Sequence, residues 1–405
     1  MESSTLARLL EPEVYARLAD IEYRPADELA LASRLRKSGL DPDTAAALVS
    51  QAALRLAAAE KFGPFAAGML FTRDGLAQAT RLPVAAHHAQ RMLASDPQVI
   101  ADLGCGLGAD TMAFAGLGGT VEAVEADEVT AAIATFNLRS LDTVTVTHGR
   151  AEDYDLTRAS ALWLDPARRT SRADARGNAT RISDPEAFSP SLSWAFTAAE
   201  QVPATGIKLG PALDHELVPP GWEAQWVSHD GDVVEVALYH GEARQEAGRN
   251  ALVLGADRAV RVHESEVPAE DEDRIGELGD FLFEPDGALV RAGLVTALCA
   301  PLGARRISKP IAYLTGDRLP GGAGRALVRS FRIRDVLPAG LKPLRRALVE
   351  RGVGKVVIKK RGADIVPDTV RRRLKLPPGE QATLVFTRLG EDHVVLLVDE
   401  VTDAA

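Results

Sequence analysis

Three glycines spaced two apart, Gly104, Gly106 and Gly108, follow an apolar run ending in Asp102, in the stretch VIADLGCGLGADTMAFA. A strand that ends in such a turn and runs on into a helix presents free backbone N–H groups and a helix N-terminus beyond the strand's carboxyl end. Glycine suits this turn because the chain bends sharply there and a ligand comes close to the backbone. The spacing is G-x-G-x-G, not the G-x-G-x-x-G of dinucleotide sites. A carboxylate two positions ahead disfavours a pyrophosphate and favours a ligand carrying a cationic group. The next apolar run, VEAVEAD, puts Glu125 where a carboxylate takes both hydroxyls of an adenosine ribose.

A second chemical feature ends a later apolar run. In ALWLDPARR, Asp165 and Pro166 stand at a strand's carboxyl end, with Arg168 just beyond. Taken alone this is an ordinary strand-ending turn followed by a solvated arginine loop; beside a ligand loop it can orient an acceptor. Lys208, in TGIKLGP, lies past another strand end on the same edge and faces either a substrate or solvent. Other chemistries find little support. The two cysteines, Cys105 and Cys299, are far apart, which excludes a disulfide framework or a cysteine-based zinc site and suits a reducing cytoplasm. The eight histidines show no metal-ligand spacing, and the pair His87-His88 is expected to be a solvated pair on a helix.

These residues need a scaffold, and the texture of the chain supplies one. Residues 1–95 are expected to be helical: DPDTAAALVSQAALRLAAAEKFG opens on an Asp cap and stops near Gly63 and Pro64, and LPVAAHHAQRMLAS forms a second helix. Over residues 96–242 short β-branched runs alternate with helical stretches, as in a parallel α/β sheet. Strands are expected at QVIADL, TVEAVEA, TVTVTH, SALWLD, TGIKLG, EAQWVSH and VVEVALYH. The last two, joined by DGD, form an antiparallel hairpin that closes the mostly parallel sheet, a variant of the doubly wound fold. Residues 243–326 form a partly acidic connecting region, and 327–400 a small basic α+β domain. The composition, 46% hydrophobic and 26% charged with 5% aromatic residues, is that of a globular chain with aliphatic cores. No run approaches a membrane span, and the N-terminus lacks the uninterrupted apolar core of a signal peptide.

DLGCGLGAD followed by AVEAD resembles the first two motifs of class I S-adenosylmethionine-dependent methyltransferases, and HGRAEDYD is similar to that family's adenine-contacting turn. The resemblance implies a Rossmann-like sheet with S-adenosylmethionine as cofactor. Asp102, Gly104, Gly106 and Gly108 would hold its methionine end, Glu125 the ribose, and Ala151 and Glu152 the adenine, with Cys105 and Ala126 also among the binding positions. The Asp165-Pro166 loop resembles the [D/N]PP[aromatic] loop of methyltransferases acting on exocyclic amines, where an Asp or Asn side chain and a proline carbonyl accept from the amine. Here Ala167 replaces the second proline and Arg168 the aromatic, and Arg168 can stack on a base or hold a phosphate instead. FTRDGLAQAT at 71–80 resembles a segment preceding the catalytic domain in a bacterial subgroup of this family, with Gln78 and Thr80 as candidates for closing over the cofactor.

Charge is segregated along the chain. The formal net charge is -10, yet residues 329–375 carry 15 Lys and Arg against 4 Asp and Glu. Such a segment suits a face that follows phosphates. The same region looks like the THUMP-like C-terminal domain of that subgroup; THUMP domains are RNA-binding modules. The expected activity is methylation of RNA, on a base and possibly at an exocyclic amine, with RNA as partner and no metal. Two alternatives stay open: methylation of a small molecule or protein, and an RNA-binding protein that keeps the fold without catalysis.

Overall fold

The computed structural model describes residues 1–167, 169–173, 179–181, 184–255, 258–268 and 275–401. Its packing divides the chain into two units, Met1–Leu209 with Ala237–Ala247, and Gly210–Val236 with Gly248–Ala405.

The first unit opens with helices α1 (Ser3–Leu9), α2 (Pro12–Ala16), α3 (Glu28–Lys37) and α4 (Pro42–Phe62). Asp41 caps α4 by accepting from the Asp43 and Thr44 amides, and the helix stops where Gly63 turns to φ +55°. Both ends fall where the sequence places them. Two shorter helices, α5 (Arg73–Gln78) and α6 (Leu82–Leu93), lead to the sheet. There β1 (Ile100–Leu103), α7 (Ala109–Gly116), β2 (Val121–Glu125), α8 (Glu128–Leu138), β3 (Val144–His148) and β4 (Ala161–Leu164) alternate as expected. Beyond β4 the backbone of β5 (Arg169–Ala173) pairs with β6 (Ala179–Arg181), a two-stranded piece where the sequence suggests only a loop. α9 (Leu192–Ala199) and β7 (Ala204–Leu209) complete the run.

Strands β7, β4, β1, β2 and β3 lie side by side in that order and all pair in parallel. β1 and β4 are buried along their whole length, which is why they lack polar alternation. Leu9, Leu48, Phe62, Leu70 and Phe71 of the helical region pack against Leu107 and Ala109 of the glycine turn and Ile133 of α8. Each such side chain contributes roughly 1.5–3 kcal/mol relative to exposure, enough to seat the helices on the turn.

In the second unit β8 (Glu223–His229) meets β9 (Asp232–Gly241) across Asp230 and Gly231, at φ +51° and +85°. Two successive left-handed residues make the tight hairpin turn expected of DGD. β9 also crosses the boundary, and its Ala237–Gly241 half belongs to the first unit beside β7. The stretch expected to be a connection contributes β10 (Gly248–Leu254), parallel to β8, and β11 (Ala259–His263), antiparallel to β10.

A second sheet follows, built from β12 (Phe281–Pro285), β13 (Arg305–Arg306), β14 (Leu314–Gly316), β15 (Val328–Pro338), β16 (Val353–Lys360), β17 (Glu380–Leu389) and β18 (Asp392–Glu400), with the short helices α10 (Gly287–Ala292) and α11 (Gly324–Leu327) between its first strands. Their order is β13-β14-β12-β15-β18-β17-β16, so the basic C-terminal strands share a sheet with residues 281–316. Alternation along β17 and β18 serves two cores. Leu384, Phe386, Val395 and Leu397 face helices α12 (Leu341–Glu350) and α13 (Pro367–Leu374), while Val385, Leu396 and Val398 pack with Leu282, Ile311 and Phe331. Among the described residues no helix is long and apolar enough to cross a membrane.

Candidate functional site

At the end of β1 the chain bends through three left-handed glycines, Gly104, Gly106 and Gly108, with φ of +95°, +57° and +89°. A Cβ on Gly104 would lie 2.8 Å from the Asp165 carbonyl oxygen, and one on Gly108 2.8 Å from Leu138. The first contact brings the turn against the loop after β4; the second lets α7 pack on α8. A Cβ on Gly106 would meet nothing within 4 Å, because this glycine faces an open cleft.

That cleft, about 510 Å³, lies at the carboxyl ends of the parallel strands. It gathers ten of the residues singled out in the sequence: Gly104, Cys105, Gly106, Glu125, Ala126, Ala151, Glu152, Asp165, Pro166 and Lys208. Gln78 and Thr80 line it too. Arg168 lies outside the described residues. Glu125 ends β2 with its carboxylate held in place, Oε2 accepting from the Gly106 amide at 3.0 Å and Oε1 from the Asp127 amide at 2.9 Å. Burial raises its pKa against the pull of those two amides. Burial likewise pushes the Cys105 thiol up, away from any nucleophilic role. Arg150, at the adenine-type turn, pairs with Glu152 at 2.8 Å.

Asp102 and Gly108 do not line the cleft. The Asp102 side chain, expected to meet a cationic ligand, is only 1% exposed and accepts from the Thr111 hydroxyl at 2.5 Å, pinning the first turn of α7. Burial, with Asp110 beside it, pushes its pKa up to about 8. A carboxylate at this spacing points inward because β1 is covered on both faces.

Asp110, itself buried, lines the cleft instead, from the first turn of α7. Burial alone would raise its pKa; Lys208, then His88 and Thr80, override that and hold it at about 2. Thr80 donates to Asp110 Oδ2 at 2.7 Å, and His88 Nδ1 lies 2.8 Å from Oδ1. Since an ionised carboxylate only accepts, His88 carries its proton on Nδ1. Lys208 Nζ stands 2.6 Å from Asp165 Oδ2 and donates to Thr80 at 2.7 Å. Lys208 is 4% exposed, so the ammonium is enclosed by protein partners and is no solvated surface lysine.

The histidine pair corrects the expectation most sharply. His88 is fully buried, its ring 4.4 Å from that of Trp163. The signal was present in the helix pattern: Val84, Ala85, His88, Ala89 and Met92 form one buried stripe of α6. Asp110 sits inside the quoted motif, two residues past Gly108, and nothing local marks it as the cleft carboxylate. Among the described residues no group of three or more His, Cys, Asp or Glu could hold a metal.

A parallel α/β sheet with a glycine-walled cleft at its strand ends, a carboxylate at the end of β2 and further carboxylates beside the turn fits a Rossmann-like binder of a cationic nucleoside cofactor. Comparison with known proteins makes the class specific. Two Mycobacterium tuberculosis proteins, from strains CDC 1551 / Oshkosh and ATCC 25618 / H37Rv, are each named an uncharacterized S-adenosylmethionine-dependent methyltransferase. Each is 31% identical to this chain over 357 residues, 86% of this chain and 94% of theirs. The chain therefore belongs to the S-adenosylmethionine-dependent methyltransferases, and S-adenosylmethionine is its cofactor. Residues 328–400 match the THUMP domain-like family and residues 2–58 a domain of unknown function. The fold is shared with a protein of Porphyromonas gingivalis W83 described as a methyltransferase, at TM-score 0.71 and 19% identity over 95% of this chain and 100% of that one.

The cleft suits this cofactor on its own terms. Gly106 leaves bare backbone on the open cleft, and the wall beside it carries two carboxylates, Asp110 and Asp165, against the one ammonium of Lys208, a setting that fits a cationic ligand.

Proposed function

We propose that this methyltransferase acts on RNA, with the Asp165-Pro166 loop orienting the acceptor and the basic C-terminal module carrying the nucleic acid. The observation that carries the RNA reading is the outward face of α12 and α13. These helices bury Leu344, Leu348, Val370 and Leu374 and leave Lys342, Arg345, Arg346, Arg371, Arg372 and Arg373 exposed. Arg345 Nε donates to the Leu374 carbonyl at 3.0 Å, which joins the two basic surfaces into one. In a chain of net charge -10 this is a local reversal of sign, suited to tracking phosphates. The match of residues 328–400 to the THUMP domain-like family supports the same reading.

In the cleft, Gly104, Gly106 and Asp110 hold the methionine end, Glu125 takes the ribose hydroxyls, and Ala151 and Glu152 face the adenine. When bound, the cofactor supplies a methyl group on a sulfonium for in-line displacement. The protein's share is then placement of the acceptor atom, and Asp165 does this from a carboxylate anchored by Lys208. Nothing in this division of labour calls for a cysteine nucleophile.

Transfer of labelled methyl to total RNA from a strain lacking the enzyme tests the reading. Label enters RNA with the wild type, and Asp165→Ala lowers incorporation by roughly 100-fold or more while S-adenosylhomocysteine still binds by calorimetry. Label confined to protein or small metabolites would refute the RNA substrate. Unchanged transfer by Asp165→Ala would refute the role of the loop.

A further inference from the structure

We propose that Thr80 is a positioning residue for methyl transfer: its hydroxyl stands between Lys208 and Asp110, and so delivers the Lys208 ammonium to Asp165. This deepens, and rests on, the reading of Asp165 as the residue that orients the acceptor.

Four elements far apart in sequence meet at this hydroxyl. Thr80 ends the segment leading into α6, Asp110 stands in the first turn of α7, Asp165 follows β4, and Lys208 lies within β7, next to its last residue, not past the strand end as expected. Thr80 Oγ1 donates to Asp110 Oδ2 and accepts from Lys208 Nζ, both at 2.7 Å. A hydroxyl has one proton and two lone pairs, so the two bonds form together and fix its rotor. Two carboxylates compete for one buried ammonium. Lys208 Nζ closes to 2.6 Å on Asp165 Oδ2 and stays 3.7 Å from Asp110 Oδ2. The inserted hydroxyl accounts for that asymmetry, because, bonded to both, it stands between Lys208 and that Asp110 oxygen and spaces them apart. His88 holds the other Asp110 oxygen from α6, so the carboxylate cannot swing away.

Without the hydroxyl, a strong ion pair forms between Lys208 and Asp110 at the expense of Asp165, since attraction between buried charges grows steeply as they close. The Asp165 carboxylate then loses its contact with Lys208. Thr80 and Asp110 both line the cleft, but the glycine turn and Glu125 still hold the cofactor, so its affinity falls far less than kcat. Thr80 acts through Lys208 and Asp165 and is therefore a positioning residue.

The test compares full-length Thr80→Val with Thr80→Ser. Thr80→Val lowers the affinity for S-adenosylhomocysteine and raises the KM for S-adenosylmethionine by no more than about threefold each, but lowers kcat for labelled methyl transfer to RNA roughly 10- to 100-fold. Thr80→Ser, which restores the hydroxyl, returns kcat to within about threefold of wild type. In carbon-13 spectra of the S-adenosylhomocysteine complex, the Lys208 ε-methylene signal, assigned by its loss in Lys208→Met, shifts in Thr80→Val and not in Thr80→Ser. Wild-type kcat in Thr80→Val, equal losses in both variants, or a fall in cofactor affinity matching the fall in kcat each overturns the proposal. If Thr80→Val does not fold, Thr80→Ala takes its place with the same expectations. If the wild type labels no RNA, the RNA reading fails, and an unmoved Lys208 signal in Thr80→Val still overturns this one.

Discussion

The Asp102 carboxyl lies in the interior beside Asp110 and Thr111, and its protonation is therefore linked to folding. Its folded pKa, about 8, exceeds that of an unfolded aspartate near 4. The protonated form is favoured in the fold, so its contribution is full below about pH 4 and is lost as pH rises through about 8. Asp110 behaves oppositely. Held at about 2, it contributes above about pH 4 and loses that contribution as pH falls toward 2. Asp102→Asn, which mimics the neutral acid, should gain stability over wild type as pH rises from 5 to 8, by up to about 2–4 °C per pH unit. Melting curves across that range check it; a difference that does not change with pH would mean Asp102 is already ionised in the fold.

At the scale of elements, the segment 69–80 is held on the glycine turn by side chains from outside it. Asn137 of α8 donates to the Leu70 and Leu107 carbonyls at 3.1 and 3.2 Å, and its oxygen accepts from the Leu70 amide at 2.8 Å. Gln51 makes a reciprocal pair with Phe71, at 2.7 and 3.0 Å. Lys61 gathers the carbonyls of Leu76, Ala77 and Ala79 at the end of α5. Asn137→Ala leaves a buried amide and two carbonyls without their partner, a cost of about 2–3 kcal/mol in urea unfolding. It should also weaken S-adenosylhomocysteine binding, because the loosened segment supplies Thr72, Gln78 and Thr80 to the cleft wall. Calorimetry on the same variant checks this. The α4 cap and stop are written locally in Asp41 and Gly63 and are legible from sequence. The clamp is not, because Asn137 acts 67 residues away from Leu70.

At the scale of the molecule, one chain of net charge -10 carries a module whose exposed helices are basic. Replacing Arg371, Arg372 and Arg373 together with Ala should weaken RNA binding and flatten its dependence on salt. For three lost phosphate contacts on a single strand, the slope of log K against log salt should fall in magnitude by about 2. Titrations between roughly 50 and 200 mM salt measure it. The KM for RNA should rise with kcat nearly unchanged, since these residues belong to the module and not to the cleft. An unaltered slope would remove α13 from the RNA-binding face. The extent of this module was only partly legible. Its basic composition and its last strands are local features, but the pairing of β15 with β12 joins residues about 50 positions apart, and no short pattern announces it.

Sequence alone determined what depends on neighbours in the chain. Period-two and period-3.6 patterns marked the strands and helices, and glycine spacing marked a turn that needs left-handed backbone; with Asp102 and Glu125 these carried the resemblance that implies the cofactor. The tertiary structure decided which charges meet. Asp102 turned inward and Asp110 took the cleft, His88 left the surface for the core, and Lys208, Thr80 and Asp165 came together from three elements. A buried carboxylate or ammonium is set by whichever partners packing brings within a few ångströms, and those partners lie far off in sequence.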